Sequence, residues 1–140
     1  MQVSPYLNFK GQCEEAFRFY ERTFHGQLGP LFRYEGSPMA DQAPLGRTDW
    51  IMHGSVTIGD LTLMGADVHP EGYLEPKGFS LSLQITGASE AERVYAELSP
   101  GGQVVVPLDK TFWAEGFGMV VDRFGVPWLI NCEAEEAPAA

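Results

Sequence analysis

Between Val3 and Phe9, polar and apolar side chains alternate. Ser4, Tyr6 and Asn8 fall on one face and Pro5, Leu7 and Phe9 on the other, the period of a strand. Gly11 breaks the run and the period changes. Cys13, Ala16, Phe17, Tyr20 and Phe24 take the i, i+3, i+4, i+7, i+11 positions of one helical face over Gln12–Phe24, leaving Glu14, Glu15, Arg18, Glu21 and Arg22 to water. Gly26 is the stop. Leu28–Tyr34 is a weaker strand candidate, and Glu35–Arg47, rich in Gly, Pro, Ser and Asp, reads as a surface loop. Strand character returns at Trp50–Ile58. Gly59-Asp60 then turns the chain into Leu61–Met64, a hairpin.

The polar, proline-bearing stretch Asp67–Lys77 reads as a connector, after which the pattern restarts. In Phe79–Ile85, Ser80, Ser82 and Gln84 face away from Leu81, Leu83 and Ile85. Ser89, with Glu92 three residues on, predicts a capping box opening a second helix, which Pro100-Gly101-Gly102 ends. Gln103–Val106 is a short strand. Phe117–Asp122 and Val126–Cys132 form a second hairpin around Arg123-Phe124-Gly125. Glu15–Tyr20 and Glu90–Tyr95 share four of six residue types at a shift of 75. With the repeated order of elements, this predicts an internal duplication, a first βαβββ module at about 1–70 and a second at about 76–133, within one domain over 1–140 that ends in a flexible tail at 134–140.

Composition narrows the function classes. The 140 residues hold 9 Lys and Arg against 19 Asp and Glu, a net charge of −10, which argues against nucleic acid and anionic membrane surfaces as partners. No apolar run approaches the ~18 residues of a spanning helix. Met1–Pro5 lacks the basic and apolar regions of a signal peptide, so the expected location is cytoplasmic. Sixteen glycines suit a turn-rich chain of short strands. Cys13 and Cys132 read as two buried thiols in a reducing compartment.

Three stretches carry a resemblance: Pro5–Phe9 running into Glu14–Tyr20; Met52-His53-Gly54 leading to Leu61–Asp67; and Lys110-Thr111-Phe112-Trp113 before Gly118-Met119 and Asp122-Arg123-Phe124-Gly125-Val126-Pro127-Trp128. Together they resemble the PhnB-like branch of the vicinal oxygen chelate superfamily, the glyoxalase and bleomycin-resistance fold, often labelled demethylubiquinone methyltransferase. The resemblance implies an α+β fold of tandem βαβββ modules, curled mixed sheets around a cavity, and a homodimer. Metal enzymes of the superfamily set four His or Glu ligands in that cavity. Alignment of the modules and counting from Gly59 and Gly125 place the four positions at Ser4, Leu63, Ser80 and Leu129, which are no set for a divalent ion. No metal and no other cofactor is therefore expected. The methyltransferase label has no support in the residues, because the chain has no Gly-x-Gly-x-Gly loop of the usual Rossmann kind.

The expected function is metal-independent binding of a small molecule in the sheet cavity. Tyr6, Asn8, Ser80, Ser82, Gln84, Trp113 and Phe117 are the ligand-facing candidates, joined on the same side by Leu61, Leu63, Leu129 and Asn131, with Phe112 nearby. His53, an imidazole on a strand, is the catalytic candidate. The rivals are a lyase, an isomerase or another enzyme using a non-standard metal or His53 as acid–base group, and a dimeric scaffold with a vestigial cavity. Trp128 reads as core, and Asp122 and Arg123 as shapers of the hairpin.

Overall fold

The computed structural model describes residues 1–111 and 113–134. The chain divides into two compact units, Met1–Leu74 and Glu75–Ala140. The first contains β1 (Tyr6–Phe9), α1 (Cys13–Thr23), β2 (Gln27–Leu28), β3 (Phe32–Arg33), β4 (Ile51–Ile58) and β5 (Leu61–Asp67). The second contains β6 (Leu81–Thr86), α2 (Ala88–Leu98), β7 (Gln103–Asp109), β8 (Gly116–Val121) and β9 (Pro127–Glu133). The class is α+β, with one mixed sheet and one long helix in each unit.

The two sheets share one plan. The first has the order β1-β5-β4-β2, with β3 also on β4, and the second has the order β6-β9-β8-β7. In each, the strand before the helix pairs parallel with the last strand, and the other pairs are antiparallel. The expected strand Leu28–Tyr34 is two short pieces. Pro30 has no N–H to give a ladder, and the close approach of Gly29 to Ser55 leaves no room for a Cβ, which would sit 2.2 Å from the Ser55 Oγ.

In the first unit, α1 covers one sheet face. Leu7, Phe9, Phe17, Tyr20, Val56 and Leu63 are buried there, with the Phe9 and Phe17 rings edge to face at 5.7 Å. Gly54 and Gly65 lie opposite each other on β4 and β5 and make a flat seat for the Phe17 ring; a Cβ on Gly65 would come within 2.8 Å of Phe17 Cζ. Arg33 of β3 reaches α1 through an ion pair with Glu14 at 2.8 Å. That guanidinium, with Arg18, holds the Glu14 carboxyl below the usual range. The left-handed residue that ends α1 is His25 (φ 53), while Gly26 donates its N–H to Glu21 O and packs against Thr57 O.

In the second unit, Ala91, Val94, Leu98, Val120, Trp128, Ile130 and Cys132 form the core between α2 and its sheet. The expected Ser89 capping box is not what starts α2. Gly87 (φ 94) occupies the N-cap and donates its N–H to Glu133 O, so the end of the sheet sets the first turn. Glu90, not Glu92, pairs with Arg93. Trp128 is core, as expected, and its indole N–H donates to Asp122 Oδ2 at 2.8 Å. The sequence tail from 135 onwards and Phe112 lie outside the described residues.

Candidate functional site

Each sheet has a second face, turned away from its helix, and strand register decides which side chains stand on it. In the first unit Tyr6 is opposite Met64 and Asn8 opposite Ala66, so Tyr6, Asn8 and Met64 share that face. The Thr57 and Thr62 hydroxyls meet across the hairpin at 3.0 Å. Leu63 is not there. It is 1% exposed in the core under α1, and Met64 takes the position expected of it. The first hairpin closes on Ile58 opposite Leu61, a helix-side pair. The second closes on Val121 opposite Pro127, a pair on the other side, so counting from the glycines slips by one residue and flips the face.

Tyr6 and His53 come together on this face. The phenol oxygen lies 3.3 Å from His53 Nδ1, and the ring centroids are 5.8 Å apart. Phe32 of β3, which no sequence pattern singles out, also stacks with His53, its ring centroid 6.4 Å away. Its signal is hidden in the weak Leu28–Tyr34 stretch, and a one-residue bulge in β4 between the partners of Phe32 and Arg33 sets the contact. Partial burial pushes the Tyr6 phenol up, so it stays protonated at neutral pH and can donate. The other histidines have structural places: His25 ends α1, and His69 Nδ1 accepts the Glu71 N–H in a short turn.

In the second unit the rows are Ser82–Leu129–Met119 and Gln84–Asn131–Phe117. Asn131 Nδ2 donates to Gln84 Oε1 at 2.8 Å, and Trp113 meets the Phe117 ring edge to face at 5.3 Å. The Trp113 loop is shaped by Thr111, whose Oγ1 accepts the Trp113 and Ala114 N–H groups. Ser80 lies just before β6, at an open groove of about 580 Å³ with Met119 and Leu129. Of the seven ligand-facing candidates, Tyr6 and Asn8 thus stand in one unit and Ser80, Ser82, Gln84, Trp113 and Phe117 in the other.

The positions that the resemblance assigns to the superfamily's metal ligands carry Ser4 and, once register is corrected, Met64 in the first unit, and Ser80 and Leu129 in the second. Neutral hydroxyls, a thioether and an alkyl group do not fit a hard divalent ion. Among the described residues, no three His, Cys, Asp or Glu side chains group as ligands. Cys13 and Cys132 are free and buried, and burial pushes both thiols up, which makes them poor nucleophiles.

Two mixed sheets of one strand order, each with a helix on one face, define a glyoxalase-fold protein, and such proteins stand among the structural neighbours of this chain. The chain belongs to the family described as 3-demethylubiquinone-9 3-methyltransferase, the PhnB-like family, whose pattern matches residues 1–131. It is 35% identical over 139 residues to Protein YjdN of Escherichia coli, covering 94% of this chain and 95% of that one. It is 43% identical to protein PA1353 from Pseudomonas aeruginosa, with a TM-score of 0.86 and coverage of 96% and 99%. It shares its fold, at 22% identity and a TM-score of 0.82, with a putative 3-demethylubiquinone-9 3-methyltransferase, PhnB protein, from Bacillus cereus, over 94% of this chain and 99% of that one. Among the described residues, no helix is long and apolar enough to cross a membrane.

Proposed function

We infer that this chain binds a small, neutral or aromatic molecule on the helix-free face of its sheets, without a metal ion. The Gln84–Asn131–Phe117 row carries the reading. The amide pair uses one donor and one acceptor on itself, leaving the Gln84 Nε2 protons and the Asn131 Oδ1 for a ligand beside the aromatic edge of Phe117 and Trp113. A metal-free donor set is consistent with binding over Lewis-acid chemistry. Trp113 supplies the test. It is 56% exposed, against 9% for Trp50 and 2% for Trp128, so it dominates quenching of tryptophan fluorescence by acrylamide. Across a panel of neutral aromatic compounds and amides, a true ligand protects Trp113 from quenching. At 100 times its dissociation constant it adds about 2.7 kcal/mol to stability. Both effects shrink in Asn131→Leu. A panel that neither protects Trp113 nor shifts the melting temperature speaks for a vestigial face.

A second reading is acid–base chemistry at His53, favoured by the 3.3 Å contact with the Tyr6 hydroxyl. It predicts that the protein speeds deuterium exchange into enolisable ketones in heavy water, and that His53→Gln loses this. Equal exchange in both proteins sinks it. The proposed working form is a homodimer in a reducing, cytoplasmic setting. The edge strand β7, with Val104 and Val105 exposed, and the two free thiols support this; light scattering reads the mass directly.

A further inference from the structure

The groove of about 580 Å³ in the second unit lies within the ~300–1,000 Å³ range of small-molecule pockets. Its walls are mostly carbon. Met119, Leu129, Val121 and Pro127 contribute two opposed pairs from β8 and β9, and Phe79, 50% exposed, also lines it. Two residues with polar side chains also line it, Lys77 and Ser80, both on the segment that leads into β6. Lys110 has Glu115 at 3.6 Å, whereas Lys77 has no ion-pair partner among the described residues. In a chain of net charge −10, a cation without an ion-pair partner among the described residues, beside an apolar groove, is able to take a negative charge.

We propose that this groove binds an amphipathic carboxylate, its alkyl or aryl body against Met119, Val121, Pro127 and Leu129 and its carboxylate held by Lys77 Nζ and the Ser80 hydroxyl. One point-charge donor and one hydroxyl suit a monoanion; a phosphate, with its greater charge, is ordinarily met by bidentate arginine or several backbone N–H groups. The inference rests on the reading that this sheet face takes small molecules, and goes beyond it by adding, beside the Gln84–Asn131–Phe117 row, a second place for a charged ligand class.

The test uses the intact chain with its methionine methyl groups labelled with carbon-13. The Met119 signal is assigned by Met119→Leu, and Met39, an exposed residue of the other unit, serves as the control. Octanoate is expected to shift the Met119 methyl saturably and leave Met39 in place. Binding should tighten about fourfold for each methylene from butanoate to octanoate, as each leaves water. Lys77→Gln should weaken octanoate about three- to fivefold, as an exposed ion pair does, and leave octanamide unchanged. Equal binding of octanoate and octanamide, with no effect of Lys77→Gln, overturns the proposal. So does tighter binding of octyl phosphate than of octanoate, or a Met119 signal that none of these probes moves. If neutral aromatic compounds still protect Trp113 in that case, the binding reading survives and this inference alone fails.

Discussion

Each unit is closed by one buried aspartate, and both use the same device. Asp67 Oδ1 accepts the Gly11 and Cys13 N–H groups, and its Oδ2 accepts the Ile51 N–H, all at 2.9 Å, so one carboxylate joins the end of β5 to the start of α1 and of β4. Asp122 Oδ1 accepts from the N–H groups of Phe124 and Val126, and its Oδ2 from the Trp128 indole. The motif that stands out most in the sequence, Asp122–Trp128, is therefore a closed hairpin with its own acceptor. Asp122→Ala leaves three buried donors unmatched and should cost more than about 3 kcal/mol, with Asp122→Asn costing less, as read from urea midpoints. Cys13 makes a prediction in pH. Burial, and then the charges of Asp67 and Glu14, push its thiol up. Its stabilising contribution is whole below the unfolded thiol value of about 8.5 and is lost as pH rises above it. Unfolding free energy should fall above about pH 8.5, and the slope should be shallower in Cys13→Ala.

At the scale of elements, the packing of α1 depends on a missing side chain. A Cβ on Gly65 would stand 2.7 Å from the backbone oxygen of Leu7 and 2.8 Å from Phe17 Cζ. The first is backbone and cannot turn aside. Gly65→Ala should separate β1 from β5 or lift α1, at about 1–3 kcal/mol, measured by equilibrium unfolding. Gly59→Ala has open space around it and only its φ of 56 to oppose it, so its cost should be nearer 1 kcal/mol. The ordering of these two variants separates crowding from backbone strain.

For the whole molecule, net charge governs the response to salt. Nineteen acidic against nine basic residues give −10, and the compact state brings these charges closer than the unfolded chain does. Raising sodium chloride from about 0.02 to 0.3 M should raise the melting temperature, because screening relieves more repulsion than attraction. Exposed pairs such as Arg47–Asp49 and Arg18–Glu14 weaken in the same salt but are worth little each. A melting temperature that falls with salt would mean that the ion pairs outweigh the net repulsion.

The order of strands and helices, the helix faces and the polar–apolar split of β1 and β6 are legible in the chain, because periods of 2 and 3.6 are local properties of the backbone. The faces carrying Tyr6 and Asn8 in one unit, and Ser82 and Gln84 in the other, can be read from the alternation alone for the same reason. Register was decided only by tertiary structure. Which of Leu63 and Met64 faces outward depends on which pair closes a hairpin, and a slip of one residue reverses the answer. The start of α2 at Gly87, fixed by the carbonyl of Glu133, and the ring of Phe32 against His53 also need partners distant in sequence. The sequence determined what each stretch could become; contacts between stretches determined which side chains meet, because a cross-strand neighbour leaves no period in the chain that records it.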